Sequence, residues 1–151
     1  MKAVFGFLGR ACLSLVFLSS AFSKLINWEG NYQYLMAGLN HWLESSVPIA
    51  ELHRFIDFVI PLAPILLIIG TIFEGLGALL LFLGVKPKTG AVLLILFVIP
   101  TTLLFHPFWI IKGPDHDIQI IMFLKNLSIL GGLFLVLASG GKKPAAIEVK
   151  E

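Results

Sequence analysis

Apolar runs long enough to cross a bilayer alternate with short polar breaks along most of the chain. Leu79-Leu80-Leu81-Phe82-Leu83 and Val92-Leu93-Leu94-Ile95-Leu96-Phe97-Val98-Ile99 are apolar at every position, which suits neither a half-buried strand nor a surface helix. A span needs about 20 mainly apolar residues at a rise of about 1.5 Å each. Residues 3–23, 58–84, 89–111 and 118–138 meet that length. Only helices and closed barrels satisfy every backbone group inside a bilayer. Barrel strands would alternate apolar and polar residues, so the pattern predicts an all-α integral membrane four-helix bundle, one domain over residues 1–151.

Residues 24–57 are too polar to cross. Tyr32, Leu35, Met36, Leu39, Trp42 and Leu43 recur at helical spacing and predict an amphipathic helix lying at the interface. Ser45-Ser46-Val47-Pro48 ends it, and Leu52, Phe55, Ile56 and Val59 mark one side of a second short helix. Trp28, Tyr32, Tyr34 and Trp42 suit the membrane–water boundary, as anchors first and as parts of a lid second. Val85-Lys86-Pro87-Lys88 and Lys112-Gly113-Pro114-Asp115-His116-Asp117 allow only tight turns, so the spans they join are antiparallel neighbours. Lys2, the apolar run and Ala21-Phe22-Ser23 imitate a cleavable signal, but Arg10 inside the apolar stretch argues against cleavage.

Composition sharpens this picture. The 151 residues are 58% hydrophobic and 13% charged, against about 25% charged in soluble domains. Most soluble enzymes and any disordered chain are excluded. A net charge of +2 without a Lys/Arg stripe excludes nucleic acid as a partner. The single cysteine, Cys12, leaves no internal disulfide, redox pair or thiolate metal cage. Lys2, Lys86, Lys88, Lys142, Lys143 and Lys150 fall on one side, and Lys24, Arg54 and Lys112 on the other. That imbalance predicts both termini in the cytoplasm, with 24–57 external and residues 139–151 a cytoplasmic tail.

Three charged residues and a histidine remain inside the spans: Arg10, Glu74, Lys125 and His106. A charge at mid-membrane costs about 2.5–3.5 kcal/mol on insertion scales, so these groups should face one another or a wet cavity. Helical phase gives each span one polar seam. Gly6, Arg10, Ser20 and Lys24 share the first; Gly70, Glu74, Gly77 and Gly84 the second; Thr102, His106 and Trp109 the third; Lys125, Ser128 and Gly132 the fourth, with Asn126 flanking. Measured from the N-terminal face at about 1.5 Å per residue, Arg10 lies at about 10 Å and Glu74 at about 15 Å. On the same scale Lys125 is at about 20 Å, His106 near about 24 Å and Lys24 near about 31 Å. This depth count predicts an Arg10–Glu74 ion pair with Lys125 and His106 as an outer layer. Two cations against one carboxylate would need an anionic ligand, a neutral Lys125, or Asp115 or Asp117 dipping in. The competing structural roles are a register clasp for Arg10–Glu74, snorkelling for Lys125 and a bonded helix-end imidazole for His106.

Gly9-Arg10 and Phe17-Leu18-Ser19-Ser20-Ala21-Phe22-Ser23-Lys24-Leu25, then Glu74-Gly75-Leu76-Gly77, His106-Pro107-Phe108-Trp109 and Phe123-Leu124-Lys125-Asn126-Leu127, occur in that order. The ordered set resembles the DoxX family of small four-helix bacterial membrane proteins. A serine, Ser23, stands where that family usually has a glycine before the first-helix lysine. The resemblance implies the bacterial inner membrane, and an association with quinone- or sulfur-linked oxidoreductase complexes that answer oxidative or thiol stress. It also implies Arg10, Lys24, Glu74, His106, Trp109, Lys125 and Asn126 as a ligand-binding set.

Three functions follow as expectations. A redox component would hold a quinone or a small oxidisable anion in an apolar slot, with Lys125, His106 and Arg10 supplying positive charge. Glu74, His106 and Lys125 are its catalytic candidates, Glu74 as the proton carrier. The sequence has no haem-ligand pair, flavin motif or nucleotide loop, and its histidines (His41, His53, His106, His116) make no spaced metal cluster. An accessory protein would instead position soluble redox enzymes or assemble as a homo-oligomer, its seam serving assembly only. A transporter would need the seam to run across the membrane.

Overall fold

A computed structural model of the protein describes residues 1–45 and 50–139, and these are almost wholly helical. Six helices follow in order: α1 (Lys2–Ile26), α2 (Trp28–Glu44), α3 (Ala50–Val59), α4 (Ala63–Leu83), α5 (Pro87–Phe105) and α6 (His116–Ser139). No strand occurs among the described residues. The runs carrying α1, α4, α5 and α6 are long and apolar enough to cross a membrane. Large side chains such as Ile118, Ile121, Leu127, Phe134 and Leu135 lie exposed on α6. In water that surface would drive aggregation; in lipid it is the solvent-compatible face. The chain is a multi-pass membrane protein. Ser46, Val47 and Pro48 of the predicted break, and the tail from residue 140 with Lys142, Lys143 and Lys150, lie outside the described residues.

Prolines and one asparagine set the boundaries. Asn27 ends α1 and caps α2, its side-chain oxygen accepting from the Gly30 N–H at 3.1 Å. α4 begins at Ala63, five residues later than position 58, because Pro61 sits in a 3-10 turn (Ile60–Leu62) and Pro64 opens the helix. Gly84 closes α4 in the left-handed conformation at φ 71°. α5 stops at Phe105, not near position 111, since Pro107 bars the preceding His106 from helical geometry.

α4 is the central helix, packed along α1 on one side and α5 on the other. α6 rests mainly on α5 and touches α1 where Leu13 lies over Gly132. Toward the face from which α1 starts, the N-terminal face, Phe17, Leu81, Leu94 and Leu133 form a closed apolar core. Toward the opposite, far face, Leu39, Ile56 and Ala63 form a second cluster, with Tyr32, Leu35, Met36, Trp42, Leu43 and Leu52 against it. The helix predicted from the pattern of residues 32–43 forms, and its apolar side packs into this cluster. Phe55 does not: it is 61% exposed, while Ile56 and Leu52 make the α3 contact.

Candidate functional site

The register of α1 against α4 decides which charges meet. The Arg10 guanidinium lies beside Gly84, 3.2 Å from where a Cβ would stand, and Ala21 meets Gly75 at 3.5 Å in the same sense. Arg10 is thus level with the end of α4, and Glu74 lies ten residues deeper, about 15 Å away along the helix. Lys24 takes the carboxylate instead. Its Nζ donates to Glu74 Oε2 at 2.7 Å and to Ser20 Oγ at 2.8 Å. The lysine is 13% exposed and the glutamate 1%. The predicted Arg10–Glu74 pair is corrected on this geometry. The depth count assumed that α1 and α4 reach the N-terminal face together, whereas α1 begins more than two turns beyond the end of α4. A lysine side chain on a helix also leans back toward the helix N-terminus, which brings Nζ down one turn to Ser20 and Glu74.

A second polar junction joins α5 to α6. His106 caps α5, and its Nδ1 lies 2.8 Å from Gln119 Oε1. With the amide oxygen as acceptor Nδ1 carries a proton, and in the neutral imidazole Nε2 then keeps a lone pair. About one turn further along α5 toward its N-terminus, Thr102 donates to the Val98 carbonyl at 2.6 Å and accepts from Asn126 Nδ2 at 3.0 Å. Gln119 and Asn126 are seven residues apart and so share one face of α6.

Lys125, one position away, points off that face. It is exposed, and its Nζ reaches only Met122 Sδ at 3.2 Å. The seam predicted for the last span through Lys125 and Ser128 is therefore turned outward, because Gln119, Asn126, Leu130 and Leu133 hold the inward face. Trp109 also leaves the seam. With α5 ended at Phe105, it packs edge-to-face on Phe108 and Phe123 at centroid distances of 5.1 and 5.9 Å, and tilted against Trp42 at 6.1 Å.

Lys24, Glu74, His106 and Asn126 all line one cavity of about 490 Å³ between the two apolar clusters. Arg10, Trp109 and Lys125 do not line it. Its walls are mainly apolar, with the Thr71 and Thr101 hydroxyls added; Phe97 lies under it, its ring centroid 5.4 Å from Lys24 Nζ. α2 roofs it through Asn31, Tyr34 and Leu39. Tyr34 stacks on Phe105 at 4.6 Å, and Trp42 Nε1 donates to the Leu104 carbonyl, which the end of α5 leaves without a helical partner. Asp115 before α6 and Asp117 at its start remain exposed, so within the cavity one cation faces one carboxylate.

Gln119, Thr71, Asn31 and Tyr34 have no charge and no motif, and the sequence reading passed over them as site residues. The signal for Gln119 is its seven-residue spacing from Asn126. Among the described residues no group of three or more His, Cys, Asp or Glu could hold a metal ion.

Comparison with known proteins adds one finding. The DoxX family model matches residues 5–107, which covers α1 to the end of α5 and includes Lys24, Glu74 and His106. Trp109, Gln119, Lys125 and Asn126 lie beyond the match. No curated protein and no solved structure gives a match.

Proposed function

We propose, for a chain that belongs to the DoxX family of membrane proteins, a component of a redox system in the bacterial inner membrane, with the far-face cavity as its ligand site. The observation that carries this reading is the Lys24–Glu74 pair on the wall of a mainly apolar cavity within a bilayer-spanning bundle. Removing two charges from water costs several kcal/mol per ion, and a clasp needs no void beside it. Here both groups line a space large enough for a quinone ring and the start of its tail. Lys24, His106 and Asn126 would supply the polar contacts to the ring's oxygens, and the apolar lining would pack against it. A quinone supplies two-electron, two-proton chemistry when bound. This chain's residues would orient the ring, exclude bulk water and carry a proton on Glu74 or at His106 Nε2.

The accessory reading keeps one supporting observation. Both polar junctions, Lys24–Glu74 and Asn126–Thr102, tie helices together and would serve assembly alone. Transport is the weakest of the three, because the packed core of Phe17, Leu81, Leu94 and Leu133 lies between the cavity and Arg10.

The test is the quinone content of the purified protein. Wild type extracted in mild detergent should retain quinone, and Lys24→Met and His106→Phe should each lower the retained amount at least about fivefold, about 1 kcal/mol. Equal content in folded wild type and both variants would remove the redox reading in favour of assembly.

A further inference from the structure

The cavity has a closed roof and an open side. Gly38 of α2 sits so close to Phe105 that a Cβ there would lie 2.8 Å from the ring. Together with the Tyr34–Phe105 stack and the Trp42–Leu104 hydrogen bond, this pins α2 onto the end of α5. α4 and α5 touch at Gly77 and Gly90, where a Cβ on Gly90 would lie 2.6 Å from the Gly77 carbonyl oxygen. Past the Phe97 ring, against Gly70, both helices contribute cavity-lining residues that are also open to the outside. Leu66 is 42% exposed, Ile69 43% and Leu96 54%, and Pro100 is exposed too. On spanning helices such a surface faces lipid. The gap between α4 and α5 is therefore an apolar mouth opening within the bilayer.

Asn31 and Tyr34 of the roof carry N–H and O–H donors, but below the roof the polar lining is biased toward acceptors. Thr71 spends its hydroxyl proton on the Leu67 carbonyl at 2.7 Å, and Thr101 spends its proton on Phe97 at 2.8 Å. Each hydroxyl therefore has only lone pairs left to offer a ligand. His106 Nε2 is a third acceptor while Nδ1 is engaged on Gln119. Asn126, with Nδ2 on Thr102, adds a carbonyl oxygen and one N–H. Lys24 is matched by Glu74, by Ser20 and by the Phe97 ring, and among the described residues no other Lys or Arg lines the space. An anion would enter with no free positive charge to meet it. A head carrying O–H groups would be able to donate to the lone pairs that Thr71, Thr101 and His106 still have to offer.

We infer that the cavity takes the head of an amphiphile that donates hydrogen bonds through hydroxyl groups, entering sideways from the lipid between α4 and α5. A quinol and a glycerol-headed lipid share that chemistry. The inference rests on reading the cavity as a ligand site, but not on electron transfer.

Three decyl-tailed probes of similar tail separate the cases: decylubiquinol under anaerobic conditions, 1-O-decylglycerol and decyl phosphate, each titrated onto the purified protein in lipid nanodiscs. At least one hydroxyl-headed probe should bind about tenfold more tightly than decyl phosphate, and Thr101→Val and His106→Phe should erase most of that preference. Tighter decylubiquinol binding identifies a quinol; tighter decylglycerol binding identifies a lipid and removes the redox reading while this inference stands. Decyl phosphate binding as tightly as the tighter of the two hydroxyl probes would overturn the donor-head assignment in wild type, with no variant needed. For the route, Leu66→Trp and, separately, Leu96→Trp should slow association several-fold. Unchanged association in both folded variants overturns lateral entry.

Discussion

Glu74 is the residue on which most of the site turns, and its environment fixes what substitution should do. At 1% exposure its carboxylate has no water to fall back on, so Lys24 is its main source of stabilisation. Removing one member of a buried pair costs about 3–5 kcal/mol, whereas replacing both with uncharged groups of similar shape is often near neutral. Lys24→Met should therefore lower the melting temperature of the purified protein more than the Lys24→Met/Glu74→Gln double variant does. A double variant at least as unstable as the single one would mean that the pair is not the unit described. Lys125→Met should leave the melting temperature nearly unchanged, since the ammonium touches only Met122. These contrasts separate what could be read in advance from what could not. Cost alone singled out Glu74, Arg10, Lys125 and His106, because charge inside an apolar run is visible without any structure. Their partners were hidden. Depth counted at about 1.5 Å per residue assumes that all helices start level, and α1 does not. Lys125 and Asn126 differ by about 100° in helical phase. Nothing in hydropathy says which faces inward; the uncharged Gln119 and Leu130 decide it by holding one side of α6.

Helices were easier to foresee than their ends. Sustained apolar length specified the four spanning elements, and spacing specified the amphipathic α2, because both are properties of long stretches. Ends depend on single residues. His106-Pro107 cut α5 six residues short of position 111, and that break moved Trp109 out of the bundle seam. Packing between elements depends equally on single positions. The Gly77–Gly90 approach lets α4 and α5 touch on the N-terminal side of the cavity, and a methyl at position 90 would meet the α4 backbone at Gly77 and Leu81. Gly90→Ala should then destabilise by about 1–3 kcal/mol, as overpacking does, despite alanine's better helix propensity. Gly131→Ala on α6 is the matched control, since nothing lies within 4 Å of the new methyl. Its melting temperature should stay level or rise. If both variants behave alike in a thermal melt, the close approach of α4 and α5 is not what sets their separation.

At the scale of the whole molecule the ion pair revises the charge count that orients the chain. Lys24 was counted among the loop cations of the far face, but it is held inside by Glu74. Arg10, counted as a mid-membrane charge, stands at the end of α4 on the N-terminal face. The tally becomes Lys2, Arg10, Lys86, Lys88, Lys142, Lys143 and Lys150 against Arg54 and Lys112. A wider asymmetry favours the N-terminal face in the cytoplasm more strongly than the sequence count did. Arg10 then has a second role besides topology. It sits where the α4 carbonyls end, the negative pole of the helix, and a cation there is favourable by about 0.3–1 kcal/mol. The far face, with α2, α3 and the cavity roof, would lie outside. Labelling tests this directly. In a Cys12→Ser background, Lys112→Cys in the α5–α6 turn should react with a membrane-impermeant maleimide in intact cells. Lys86→Cys in the α4–α5 turn should react only after permeabilisation. The opposite pattern would put the cavity mouth in the inner leaflet and both termini outside. Labelling of both sites in intact cells would contradict α5 as a span. The expected pattern puts the cavity in the outer half of the bilayer, where a hydroxyl-headed amphiphile diffusing in that leaflet would meet the α4–α5 gap without leaving the membrane.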